Sequence, residues 1–159
     1  MFFTIFISGC INPFAPALDE DINDGSSIIS EQTDVNGVFT NLQYAYTFED
    51  TTIYGNLLSS DFTFIYHDYE QGFDIQWGRD EEMKVTNALF QNSQNLDIIW
   101  NKITFIDVDS TSITRSYNLT VTFNPTDIQR IDGKSIFTLR KNLDTRKWQI
   151  VRWYDESNF

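Results

Sequence analysis

The chain of 159 residues has one cysteine, one histidine, three prolines and no basic residue before Arg79. A lone cysteine excludes an intramolecular disulfide. A lone histidine, His67, excludes a histidine pair and a histidine-based metal site. Neither a metal nor any other cofactor is expected. Twelve acidic residues precede Arg79, and the eleven that remain are matched by eleven Lys and Arg, for a net charge of −12. Nucleic-acid binding needs clustered basic side chains, so nucleic acid is excluded as a partner.

Aromatic residues are plentiful: 14 Phe, 7 Tyr and 4 Trp. Each large apolar side chain contributes about 1.5 to 3 kcal/mol when buried. A core without disulfides is therefore within reach, and the length fits one domain plus extensions.

The first nine residues are apolar apart from Thr4 and Ser8. The run is too short to span a bilayer but has the length of a signal-peptide core. It ends in Ile7-Ser8-Gly9-Cys10, which resembles the bacterial lipobox: an aliphatic residue, two small residues and the cysteine that takes the lipid. The resemblance implies a signal segment over residues 1–10, lipid attachment at Cys10 and a membrane as partner. Lipoprotein signals also carry a basic stretch before the apolar run, so the expected start lies upstream of Met1. Residues 11–32 hold Pro13, Pro16 and several acids without apolar periodicity, and read as an acidic tether. Asp19, Asp21 and Asn23 alternate as in a calcium loop, but Asp24 and Ser30 stand where that loop needs Gly and Glu.

The folded domain is expected over residues 33–159. Thr33 suits a helix N-cap, and Val35, Val38, Phe39, Leu42, Ala45 and Tyr46 follow at helical spacing. Asp50 or Thr51 is expected to cap a second helix. The period then becomes two: Phe62, Phe64 and Tyr66 alternate with Thr63, Ile65 and His67, and a turn at Gly72 leads to a second strand ending at Trp77. Asp80, Glu81 and Glu82 crowd the first turn of a third helix, where the helix dipole favours negative charge. From Leu96 onward the pattern is strands, the clearest over residues 113–124, with a last hairpin over 134–141 and 147–155.

This order predicts an α+β cone-shaped roll, three N-terminal helices packed on a curved, mainly antiparallel sheet. With Leu57-Leu58-Ser59-Ser60-Asp61-Phe62 after the second helix, and Phe137-Thr138-Leu139-Arg140-Lys141 followed by Trp148-Gln149-Ile150-Val151-Arg152-Trp153, residues 33–156 resemble the nuclear transport factor 2-like, or SnoaL-like, superfamily. The usual Gly of the last turn is replaced by Asp144-Thr145-Arg146. The resemblance implies a deep cone lined by the sheet. Enzymes of the superfamily, which are isomerases, dehydratases and epoxide hydrolases, keep an Asp or His base inside it.

Candidates for such a site are few. His67 falls on the strand face opposite the aromatic trio, where a structural role is expected. Asp61 and Asp155 end their elements and are expected at hydrated rims. Tyr66, Trp77, Trp100 and Trp153 are the candidate lining of an apolar pocket, with core packing as the plainer reading. Asn118-Leu119-Thr120 has the form of a glycosylation acceptor and reads as ordinary strand. In the last hairpin, strand parity puts Phe137, Leu139, Val151 and Trp153 inside. Arg140, Trp148, Arg152 and Tyr154 are left outside, a composition typical of binding surfaces and the candidate interface for a homodimer or a protein partner. The reading that follows is a lipid-anchored, non-catalytic interaction module of the bacterial envelope, expected at the outer membrane. The alternative is a pocket enzyme or small-ligand carrier of the same fold. The feature that separates them is a closed aromatic pocket holding an ionisable group.

Overall fold

The computed structural model describes residues 29–157, so Cys10, the expected signal segment and most of the expected tether lie outside the described residues. Two aspartates start the first two helices. Asp34, rather than Thr33, caps α1 (Val35–Thr47), its carboxylate accepting from the Gly37 amide at 2.7 Å. Asp50 caps α2 (Thr51–Leu57) and accepts from the amides of Thr52 and Ile53. In each case a negative oxygen satisfies free N–H groups at the positive end of a helix. The buried stripe of α1 is Val38, Phe39, Leu42, Ala45 and Tyr46. The third helix, α3 (Arg79–Asn92), differs, because its buried residues are Glu82, Thr86 and Phe90. A helix that turns a carboxylate inward requires polar company in the core.

Six strands form one sheet. They are β1 (Leu58–Asp68), β2 (Phe73–Gly78), β3 (Asn95–Ile106), β4 (Ser112–Asn124), β5 (Asp127–Lys141) and β6 (Trp148–Asp155). The spatial order is β2-β1-β6-β5-β4-β3, antiparallel throughout except for the β1–β6 pair. The chain thus returns at its end to lie between the first hairpin and the long strands. The helices cover one face, with α1 against β3 and β6 and α3 against β1 and β2. The core between the layers is built on Leu42, Tyr54, Leu57, Phe62, Ile113, Phe137 and Ile150.

The last strand departs from simple alternation. Thr138 pairs with Arg152, but the next residue, Leu139, pairs with Ile150, so Val151 is unopposed. This bulge inverts the side-chain parity within β6. Before it, Ile150 is fully buried and Trp148 packs against the core; beyond it, Trp153 and Asp155 take the same inner face. The expectation that Trp148 points outward and Val151 inward is overturned by that one extra residue.

The boundary expected between residues 32 and 33 also moves. Gln32 is buried with a positive φ of 62° and docks on the first residue of β6: Trp148 N–H donates to its carbonyl, and its side-chain amide donates to the Trp148 carbonyl. Ser30 and Asn41 exchange two further hydrogen bonds. Each such bond contributes about 0.5 to 1.5 kcal/mol net. A chain begun at Thr33 is therefore expected to unfold at lower urea than one begun at Ile29, by the equivalent of about 2 kcal/mol. Equal midpoints would show that Ser30 and Gln32 only rest on the domain.

Candidate functional site

α3 leans on α2, β1 and β2 and leaves a space before β4 and β5. The space is a cavity of about 780 Å³, within the range of sites that enclose small molecules. One wall is aromatic. Phe64 stacks on Trp77 at 4.8 Å between ring centroids, Tyr66 meets Trp77 edge-on at 5.6 Å, and Trp153 meets Phe64 edge-on at 5.5 Å. The facing side, from α3, β4 and β5, combines aliphatic Val85, Leu89, Leu119, Val121 and Ile131 with Phe123, Gln129 and Arg130.

Two carboxyl groups enter this lining. Glu82 is 4% exposed and accepts hydrogen bonds from Tyr54 Oη at 2.5 Å, Trp77 Nε1 at 2.6 Å and Thr86 Oγ1 at 3.1 Å. Three elements, α2, β2 and α3 itself, thereby converge on one side chain. Asp155 is 5% exposed and accepts from Tyr117 Oη at 2.9 Å and Ser157 Oγ at 3.0 Å. Tyr117 reaches it by lying across Gly133, its register partner on β5. A Cβ at Gly133 would stand 2.4 Å from Tyr117 Cζ, so the absence of a side chain there is what gives the phenol its place.

Burial pushes the Asp155 carboxyl above the ordinary carboxylate range, and the nearby charge of Glu82 adds to this; the bonds from Tyr117 and Ser157 oppose the shift without cancelling it. Burial likewise raises the phenols of Tyr46, Tyr54 and Tyr117, with Glu82 or Asp155 adding to each, so all three stay protonated. The inner end of the cavity is thus a group of phenol donors around two carboxyls. Such a group gives and takes protons where water is scarce.

Of the four aromatic residues expected to line a pocket, Tyr66, Trp77 and Trp153 do so. Trp100 does not. It is held among Phe39, Tyr117 and Phe137, with the Arg115 guanidinium over Phe39 at 4.6 Å and over Trp100 at 6.0 Å. The four residues read as an outer face are also divided. Arg140 and Arg152 are exposed, with Arg140 forked onto the carboxylate of Asp61. That contact holds Asp61, itself exposed as expected, down to about 2. Tyr154 is half-buried with its hydroxyl 3.4 Å from Asp74, and Trp148 lies on the inner side of the bulge. His67 shares the outer face and bonds Asp74 at 2.8 Å, away from the cavity. Asp155, expected at a hydrated rim, is buried instead: it stands two residues after Trp153 and shares its inner face. Glu82 escaped notice among the acids of the helix start; its sequence signal is the spacing Glu82, Thr86, Phe90, one inward stripe on a helix.

No family model and no curated protein matches the sequence. Solved structures do match in fold. A candidate scytalone dehydratase of Novosphingobium aromaticivorans superposes with a TM-score of 0.66 at 13% identity, over 79% of this chain and 82% of that one. A candidate SnoaL-like polyketide cyclase of Jannaschia gives 0.57 at 14%, over 83% and 89%. A nuclear transport factor 2-like protein of unknown function from Shewanella baltica gives 0.55 at 16%, over 77% and 89%. The fold is therefore that of the nuclear transport factor 2-like proteins, α+β with three helices on a six-stranded, mostly antiparallel sheet.

Because the folded protein raises Asp155 above its unfolded value, this group stabilises the fold fully below about pH 4, and the contribution is lost as pH rises through its folded pKa. Asp155→Asn is therefore expected to raise Tm at pH 8 and to leave it little changed at pH 4. A variant less stable than the parent at pH 8 would mean that ionised Asp155 holds the domain together.

Proposed function

We propose that this chain is a lipid-anchored protein of the bacterial envelope whose cone receives a small, ring-sized organic molecule and moves a proton on it. The observation that carries the reading is the pair of carboxyls, Glu82 and Asp155, buried in the wall of an aromatic cavity. Buried acids are costly in a core that serves packing alone, and perturbed acids in clefts mark functional sites. This feature favours the pocket enzyme over the non-catalytic module. The names of two fold neighbours, a candidate dehydratase and a candidate cyclase, belong to chemistry of the same kind.

In this reading Asp155 is the base. Its carboxylate takes a proton from the bound molecule, Tyr117 and Ser157 hold it in orientation, and the phenol of Tyr46 in the cavity lining stands ready as a donor. Glu82 fixes Tyr54 and Trp77, and so the aromatic wall. Arg152 and Tyr154 remain a candidate contact surface for a second copy or a protein partner, without Trp148. Arg140 already holds Asp61.

Proton transfer is checked in deuterium oxide: ring compounds that bind the protein are followed by NMR for exchange of their acidic carbon-bound hydrogens. General-base catalysis contributes about 10²- to 10⁴-fold. Asp155→Asn is expected to slow exchange by at least about 10²-fold while ligand still binds. Exchange equal in the two proteins removes Asp155 from the reaction.

Anchoring is supported by Ile7-Ser8-Gly9-Cys10, since two or more acyl chains hold a protein stably on a bilayer. Expressed behind a complete signal peptide, the protein is expected to sediment with membranes, and Cys10→Ser to release it or leave it unprocessed. Unchanged processing and sedimentation of the Ser variant contradict the anchor.

A further inference from the structure

Glu82 and Asp155 raise a question of charge. Buried carboxylates are ordinarily matched by a cation, yet among the described residues neither forms a salt bridge. The basic side chains near this end of the fold are engaged elsewhere or exposed. Arg115, on the inner face of β4, lies over Phe39 and donates to the carbonyls of Asn101 and Trp100. Arg79 donates to the Gly55 carbonyl, and Lys134 pairs with Glu156. Arg130, the one basic residue of the cavity lining, is exposed. Glu82 and Asp155 are held by neutral donors alone: phenol, indole and hydroxyl.

The rest of the inner lining points the same way. Tyr46, Phe64, Tyr66, Trp77, Tyr117 and Trp153 surround the carboxyls with aromatic rings. Ring faces attract cations, the more so when the site is dry. We infer that the cavity accepts a small organic cation, an ammonium carried on an apolar, ring-sized body, with its charge set against Glu82 and Asp155. The inference rests on the reading of the cone as a ligand site and adds the class of ligand. Such a ligand supplies the counter-charge that the protein does not. It also favours ionised Asp155, the form that acts as a base, so occupancy and readiness for proton transfer coincide. An anion is repelled by the same arrangement.

Phenyltrimethylammonium and tert-butylbenzene have nearly the same shape and differ in charge. Titrated into the native chain by NMR, the ammonium probe is expected to bind at least tenfold more tightly, with nuclear Overhauser contacts from its methyl groups to the indole of Trp77. In the Glu82→Gln, Asp155→Asn protein its affinity is expected to fall to that of the neutral probe. The comparison of probes uses the native chain, so it stands even where that variant fails to fold. Equal or tighter binding of tert-butylbenzene overturns the inference and leaves the cone a site for neutral ligands. An ammonium probe that binds without contacts to Trp77, or equally well to a folded double variant, overturns it as well. If neither probe binds, the reading of the cone as a ligand site falls with it.

Discussion

The single unopposed residue in β6 governs both ends of the inner face. Ahead of Val151, Trp148 and Ile150 close the core against β1 and β5; after it, Trp153 and Asp155 enter the cavity. A strand of strict alternation presents every second residue to one side. Without the bulge, Ile150 and Asp155 would lie on opposite faces. The cavity's acid is thus available because a register shift upstream leaves the core intact. Bulges re-aim side chains in this way beside functional sites.

What the bulge places, the surrounding donors must hold. Glu82 draws on Tyr54, Trp77 and Thr86, and Asp155 on Tyr117 and Ser157, so α2, β2, α3, β4 and the end of the chain meet around two carboxyls. Buried polar groups of this kind are stable only while their hydrogen bonds are complete. The site and the packing are therefore one construction. Gly133 illustrates the dependence: a residue without chemistry decides where the Tyr117 phenol can lie. The raised carboxyl of Asp155 also opposes folding at neutral pH, a conflict between stability and chemistry common at active sites.

Much of the architecture was legible in the sequence, because the switch from a period of three and four to a period of two follows burial directly. The helices, the first hairpin and the run of strands in the second half come from that pattern, and so does the placing of His67 opposite Phe62, Phe64 and Tyr66. Tyr66, Trp77 and Trp153 were legible as a lining because they share one parity. The site's acids were not. Asp155 ends its strand, and a strand end suggests a hydrated rim, although its parity with Trp153 already pointed inward; what the bulge concealed, since it leaves no mark in Ile150-Val151-Arg152, was the inward turn of Trp148. Glu82 stands beside Asp80 and Glu81, and charge alone does not separate the acid that turns inward from those that stay in water. Gln32 belonged to an acidic stretch, and its docking depends on the backbone of Trp148, more than a hundred residues away. Trp100 shows the reverse error: an aromatic residue on the right face, but beside α1 rather than α3.

The function proposed for the cone turns on Asp155 being a buried acid that, among the described residues, no basic side chain pairs. Its side-chain carboxyl carbon, observed by ¹³C NMR as pH is varied, reports that directly. A titration midpoint above the ordinary carboxylate range is expected, moving down when Glu82 is replaced by Gln. A midpoint at or below that of a solvent-exposed aspartate, insensitive to Glu82, would contradict it.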